Sequence, residues 1–264
     1  MKIAVTGATG FIGRHVLTAL AQHDVEVICI SRHAQDYFNL DISNADPNTY
    51  VQLGSPDVLI HLAWDGLPNY HSLHHFESEL PKHYQFLKQL IEAGLPSVVV
   101  AGTCFEYGMQ SGALSTALRP QPANAYAYTK TALHQQLQFL QRKQHFNLAW
   151  ARLFYLYGQG QAASSLYSLF QQAITRGDTV FNMSGGEQLR DFLPIETAAQ
   201  QLVALALQQH NGTVNICSGQ PTSVRRLVEQ WRDEKNSNIA LNLGYYPYPD
   251  YEPMAFWGEC SPHR

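Results

Sequence analysis

The chain reads as an α/β protein built on a doubly wound parallel sheet, with a small C-terminal lobe interleaved with the last pieces of that sheet. Three observations predict this. Strand-like runs alternate with amphipathic stretches through the first 150 residues, which is the pattern of successive βαβ units. Glycines at 7, 10 and 13 link the first apolar run to the first helical pattern. Val98, Val99 and Val100 form an unbroken β-branched run, as expected of a parallel strand covered on both faces.

The strands follow from short apolar runs bounded by turn residues: Lys2–Thr6, Val25–Ile30, Tyr37–Leu40, Asp57–Leu62, Ser97–Gly102 and Asn147–Phe154. Helical patterns lie between them at Phe11–Gln22, His74–Glu92 and Asn124–Gln144. After Gly158 the pattern loosens into shorter pieces rich in Gln, Gly and Tyr. A helix at Glu196–Gln209, a strand at Thr213–Cys217, a helix at Thr222–Lys235 and a strand at Ile239–Leu243 follow. The tail from Gly244, containing YYPYPDYEPM, is too rich in proline to be helical. The expected division is a nucleotide-binding domain from residues 1–157 plus about 190–217, and a small lobe from about 158–189 plus 218–264.

Composition narrows the class. The chain has 264 residues, 45% apolar and 14% charged, with a formal charge of −4. That balance, without long basic runs, excludes nucleic acid as the main partner. No apolar segment approaches the roughly 18 residues of a membrane span, and the chain enters its first strand without room for a signal peptide. Cys29, Cys104, Cys217 and Cys260 lack paired metal or disulfide spacing. They read as thiols in a reducing compartment, so a cytoplasmic protein is expected.

The glycines place a phosphate. Gly7 permits a tight turn, Gly10 lets backbone approach a pyrophosphate, and Gly13 lets the following helix pack on the strand. The helix N-terminus attracts anions, and Thr9, Phe11 and Ile12 share this turn as expected cofactor contacts. The second strand ends in Ser31-Arg32-His33 with no carboxylate there. A hydroxyl followed by a guanidinium fork suits a 2′-phosphate, so the expected cofactor is NADP (NADPH). Asp41-Ile42 should face the adenine, and Leu62-Ala63-Trp64 should line the dinucleotide.

Tyr126 and Lys130 are four apart at the start of a helix, so they share one face. A phenol with a pKa of about 10 needs a nearby cation to act at neutral pH. Such a Tyr can protonate a ketone oxygen as hydride reaches the carbon. Tyr128 lacks this relation, since Ala132 lies four residues on. Thr103 follows the Val98–Gly102 strand and could bond the substrate carbonyl at its carboxyl edge.

TGATGFIG (6–13), HLAW (61–64), GTCFEYG (102–108), YAYTK (126–130), RLFYLYG (152–158), RDFLPIE (190–196) and NICSG (215–219) together resemble the extended short-chain dehydrogenase/reductases. These nucleotide-sugar epimerases, dehydratases and ketoreductases supply the resemblance over nearly the whole chain. It implies a Rossmann domain with a substrate lobe, a catalytic triad at Thr103, Tyr126 and Lys130, and a homodimer pairing helices around 74–92 and 124–144. Dehydratases of the family carry Asp-Glu after the catalytic Thr; here Cys104 and Phe105 stand there, which removes dehydration.

Arg190 matches the arginine that holds the nucleotide diphosphate, and Tyr155 stands where many relatives carry an Asn on the substrate phosphates. Thr103, Cys104, Phe105 and Glu106 complete the expected substrate contacts; Glu106 reads equally as a sugar contact or a structural salt bridge. The resemblance is strongest to reductases of 4-keto-6-deoxyhexose nucleotides, the dTDP-4-dehydro-6-deoxyglucose reductase kind. An NAD-retaining epimerase is the alternative, followed by a non-catalytic NADP sensor. His71, His74 and His75 crowd one segment without a ligand-spaced companion; they read as a solvated helix start, and no metal is expected.

Overall fold

The computed structural model describes residues 1–32, 37–248 and 252–260. His33 and residues 249–251 of the tail therefore lie outside the described residues. Strands β1 (Lys2–Thr6), β2 (Glu26–Ser31), β3 (Phe38–Asn39), β4 (Val58–His61) and β5 (Ser97–Thr103) are followed by β6 (Gly112–Leu114) and β7 (Asn147–Leu153). Further along lie β8 (Tyr155–Tyr157), β9 (Val180–Asn182), β10 (Leu189–Pro194), β11 (Gly212–Ile216), β12 (Pro221–Ser223), β13 (Ala240–Asn242) and β14 (Phe256–Gly258).

Seven strands form one sheet in the order β11-β7-β5-β4-β1-β2-β3, and every neighbouring pair is parallel. The strand order reverses between β1 and β4, so a crevice opens beyond their carboxyl ends, the place where such sheets bind ligands. Helices α1 (Phe11–Leu20), α2 (Thr49–Gln52), α3 (Leu80–Glu92), α4 (Ala125–Gln141), α5 (Leu166–Arg176), α6 (Ile195–Leu207) and α7 (Val224–Glu234) complete the chain.

The β-branched run is explained by two packed faces. Val99 joins Ile3, Val5 and Ile60 beneath Val16 and Leu20 of α1 and Ala198 and Leu202 of α6. Val98 and Val100 point the other way, against Phe86 and Leu90 of α3 and Leu133 and Leu137 of α4. Alternating side chains of one strand thus feed both cores.

A further hydrophobic core, in which Phe170, Phe181, Leu227 and Trp231 meet, lies among the later elements. Outside the large sheet the chain forms a three-stranded sheet, β12-β10-β8, and the pairs β13-β9 and β14-β6. Some elements differ from expectation. The helix expected from Thr222 starts at Val224, because Ser223 caps it by accepting from Arg226 N. The helix expected from His74 begins as a π turn, His75–Glu79, before α3. The tail contributes β14, which pairs in parallel with β6. Among the described residues no helix is long and apolar enough to cross a membrane.

Candidate active site

Gly7 follows β1 with φ of 68°, and a Cβ there would lie 2.8 Å from Ala63 N. A Cβ on Gly13 would overlap the Gly7 carbonyl. These glycines therefore make a bare backbone cradle at the N-terminus of α1, which suits the pyrophosphate of a dinucleotide. A cavity of about 240 Å³ opens over it, walled by Gly7, Thr9, Gly10, Ser31, Arg32, Asp41, Ile42, Leu62, Ala63 and Trp64. Ten predicted cofactor residues from four separate loops thus share one wall. Phe11, Ile12 and Gly13 stand behind it; Gly13 is buried and Ile12 packs into the core.

Sequence reasoning missed Thr6, Asp65, Glu79, Lys82 and His83, which also line this cavity. Asp65 takes the Arg32 fork in two bonds of 2.8 and 3.0 Å, with Lys82 Nζ 3.6 Å from the same carboxylate. Below the rim, Thr6 Oγ1 lies 2.8 Å from His61 Nδ1, and His61 Nε2 lies 2.7 Å from His83 Nδ1. His83 Nε2 lies 3.1 Å from Glu79 Oε2.

A carboxylate only accepts, so His83 Nε2 carries its proton, and each earlier member of the chain donates towards Glu79. Burial alone would raise Glu79, but the bonds from His83 and Lys82 hold it at about 2. Burial pushes His83 down to about 4 and His61 well below its ordinary value, so both rings are neutral. The sequence signal for this chain was Glu79 with Lys82 and His83 three and four residues on.

Trp64 closes the inner end of the cavity. Its ring stacks on His83 at 4.3 Å between centroids, and its Nε1 donates to His75 Nδ1 at 3.2 Å. His75 is therefore not part of a solvated helix start: it is fully buried, and its Nε2 lies 2.8 Å from the Asn69 carbonyl. Behind the indole stand Lys130, with Nζ 3.7 Å from the ring centroid, and Tyr126, edge-on at 5.9 Å. Tyr126 and Lys130 are buried, and neither is among the described residues lining the cavity.

The two catalytic candidates sit where α4 docks on the end of β5. Asn124 caps α4 by accepting from Ala127 N at 2.9 Å, which puts Tyr126 and Lys130 in its first turns. Lys130 Nζ donates to the Ala101 carbonyl at 2.9 Å, two residues before Thr103. The Thr103 hydroxyl accepts from Phe105 N at 3.3 Å, leaving its proton to donate. The expected lowering of the phenol by the cation is not what the structure shows: burial pushes Tyr126 up. Burial also pushes Lys130 down to about 7, and its Nζ is 5.8 Å from the Tyr126 ring centroid. Tyr128, the residue set aside, is exposed.

Glu106 is corrected from substrate contact to scaffold. It is fully buried, and its carboxylate accepts from Thr103 N at 2.9 Å, Trp150 Nε1 at 2.9 Å and Arg152 Nε at 2.9 Å. Thr103 and Glu106 form a capping box around a short turn, and the T-x-x-E spacing was its signal. Cys104 is buried and burial pushes its thiol up; with Phe105 it borders a small cavity that Glu252 also lines.

Arg190 and Tyr155 line a second, aromatic cavity of about 260 Å³ with Tyr157, Tyr167, Trp231 and Glu252. Arg190 is itself buried and bonds the Glu252 carboxylate at 2.9 and 2.7 Å. Glu252 therefore stands at the junction of the two cavities. Among the described residues no group of three or more His, Cys, Asp or Glu could hold a metal ion.

A dinucleotide cradle at the reversal of a doubly wound sheet, abutting a Tyr-x-x-x-Lys helix, is the arrangement of an extended short-chain dehydrogenase/reductase. The family model described as "NAD dependent epimerase/dehydratase family" matches residues 3–217, and the chain belongs to that family. It is 32% identical over 269 residues to the dTDP-6-deoxy-L-talose 4-dehydrogenase (NAD(+)) of Aggregatibacter actinomycetemcomitans, spanning 98% of this chain and 99% of that protein. It is 25% identical over 269 residues to the dTDP-6-deoxy-L-talose 4-dehydrogenase (NAD(P)(+)) of Kitasatospora kifunensis, spanning 94% of this chain and 83% of that one. The solved structure of MoeE5 in complex with UDP-glucose and NAD shares the fold, with a TM-score of 0.80 and 24% identity over 99% of this chain and 90% of that one. The chain is thus an NAD(P)-dependent enzyme of the extended family, acting on CH–OH.

Proposed function

We propose that the protein is an NADPH-dependent reductase of the C4 ketone of a nucleotide-linked 4-keto-6-deoxyhexose, working in deoxysugar biosynthesis. The observation that carries this reading is the docking of the Tyr126–Lys130 turn on the end of the strand bearing Thr103, behind the dinucleotide cavity. The names of the two relatives support the substrate class. Each is a 4-dehydrogenase of a dTDP-6-deoxyhexose, and oxidation at C4 is ketone reduction run backwards.

When bound, the reduced nicotinamide supplies hydride to the carbonyl carbon. Tyr126 gives its proton to the carbonyl oxygen, which is the donor state that its burial favours. The Thr103 hydroxyl donates to the same oxygen and steadies the developing alkoxide. Lys130 supplies positive charge beside the phenol and orients the nicotinamide ribose once Trp64 no longer covers it. Arg190 holds the diphosphate, with Tyr155, Cys104 and Phe105 around the sugar and its phosphates. In this reading residues 1–157 with about 190–217 bind the cofactor, and about 158–189 with 218–264 bind the sugar nucleotide.

Cys29, Cys104, Cys217 and Cys260 are all free, which suits the reducing cytoplasm. A homodimer pairing α3 and α4 is supported by Tyr128 and Phe139, exposed on α4. One observation favours a second reading, an NAD-retaining epimerase: Asp65 already occupies the Arg32 fork. The deciding experiment is Tyr126→Phe assayed with keto-sugar nucleotides and NADPH. Loss of NADPH oxidation with cofactor binding retained is expected. Unchanged turnover overturns the reductase, and stoichiometric NAD on the purified protein favours the epimerase.

A further inference from the structure

We propose that Asp65 tempers the preference for NADP by holding Arg32, so that a 2′-phosphate is taken only by breaking this ion pair while a 2′-hydroxyl is accepted beside it. The inference rests on the reading that the crevice takes a nicotinamide dinucleotide with its adenosine ribose at the end of β2. The residue usually decisive for that choice lies on the second strand's end, where this chain has Ser31 and Arg32. The carboxylate arrives instead from the loop after β4, and it meets both terminal nitrogens of Arg32.

Two features make this more than a surface ion pair. The geometry is bidentate, so the fork that would grip a phosphate is spent on Asp65. The cavity wall is also acidic in sum: Asp41, Asp65 and Glu79 line it against Arg32 and Lys82. Bonds from Ser43 hold Asp41 below the usual carboxylate range, and Glu79 is ionised as described, so both stand as anions beside the Asp65–Arg32 pair at neutral pH. A dianionic phosphate must therefore take Arg32 from Asp65 and enter beside that carboxylate, whereas a 2′-hydroxyl leaves the pair undisturbed. Asp65 acts through Arg32, as a positioning residue. Its own backbone N–H is fixed by Glu79 Oε2 at 3.2 Å, and Lys82 keeps Glu79 as a partner if Asp65 is neutralised.

Calorimetric titration with adenosine 2′,5′-bisphosphate and with ADP tests this without hydride transfer. Asp65→Asn should tighten the 2′,5′-bisphosphate about fivefold at low salt, the scale of an exposed ion pair, while ADP changes less than twofold. The gain should shrink as salt screens the rim. Arg32→Ala should weaken the 2′,5′-bisphosphate, and in that background Asp65→Asn should have no further effect. Asp65 is 40% exposed, so the variant should melt with the parent protein. Equal shifts for both nucleotides, or a gain that survives Arg32→Ala, would overturn the inference while leaving the reductase reading intact. Binding of neither nucleotide to the parent protein would overturn the cofactor reading and this inference together.

Discussion

The ammonium of Lys130 lies 3.7 Å above the indole of Trp64 and donates to the carbonyl of Ala101. The ring face and the carbonyl offset part of the cost of burying a cation, yet burial still holds its pKa at about 7. In the unfolded chain it returns to about 10.4. Between those values the unfolded state binds the extra proton, so this group makes stability rise with pH. Below about pH 7 the whole cost is present. Lys130→Met should therefore raise Tm at pH 6, with a gain that fades towards pH 10, while abolishing turnover. A lower Tm at pH 6 would show that the contacts of Lys130 outweigh its burial.

The same lysine predicts a limb in the pH profile. If the ammonium form is needed beside Tyr126, kcat/KM for ketone reduction should fall as pH rises through about 7, where Lys130 of the unliganded enzyme loses its proton. Under saturating cofactor and substrate the limb in kcat should sit higher, because bound phosphates favour the cation. A flat kcat/KM profile between pH 6 and 9 would remove Lys130 from the charged part of the mechanism.

The sequence made the cradle and the catalytic pair legible for different reasons. Gly7, Gly10 and Gly13 act through backbone, and local spacing determines what backbone can do there. Tyr126 and Lys130 share a helix face, which four-residue spacing encodes directly. Asp65, Lys82 and His83 belong to one wall only because the loop after β4 and α3 converge on it, and a side chain's partner across the sheet has no local signature. Glu106 shows a signal present but misweighted: its capping-box spacing was in view, and Arg152 and Trp150, which complete its burial, lie on a neighbouring strand. Burial also reversed one electrostatic expectation, since Tyr126 responds to desolvation before any cation.

Glu106 should carry stability rather than chemistry. Its carboxylate faces Arg152 at 2.9 Å, with both side chains almost wholly buried. Removing one partner of such a pair strands the other charge, at a cost of about 3–5 kcal/mol. Glu106→Ala should lower the unfolding free energy in urea by that amount, and Thr103 loses a backbone anchor at the same time. A loss below about 1 kcal/mol, the value of an exposed pair, would mean that Arg152 finds another partner.

Glu252 and Arg190 make the sharpest prediction for the substrate side. Both side chains are at least nine-tenths buried, and the carboxylate bonds the guanidinium at 2.7 Å. Arg190 also donates to the carbonyls of Leu189 and Met254, so its position does not depend on Glu252 alone. If Arg190 grips a diphosphate, the Glu252 charge competes for the same fork and repels the incoming phosphates. Glu252→Gln keeps the shape and removes the charge. Binding of dTDP or UDP, followed by calorimetry, should tighten about threefold to tenfold, the range of a partly desolvated charged bond. Stability should fall at the same time, because Arg190 is left buried without its anion. Weaker nucleotide binding would instead assign Glu252 the task of aiming Arg190 at the phosphates, since a competitor's removal cannot reduce affinity.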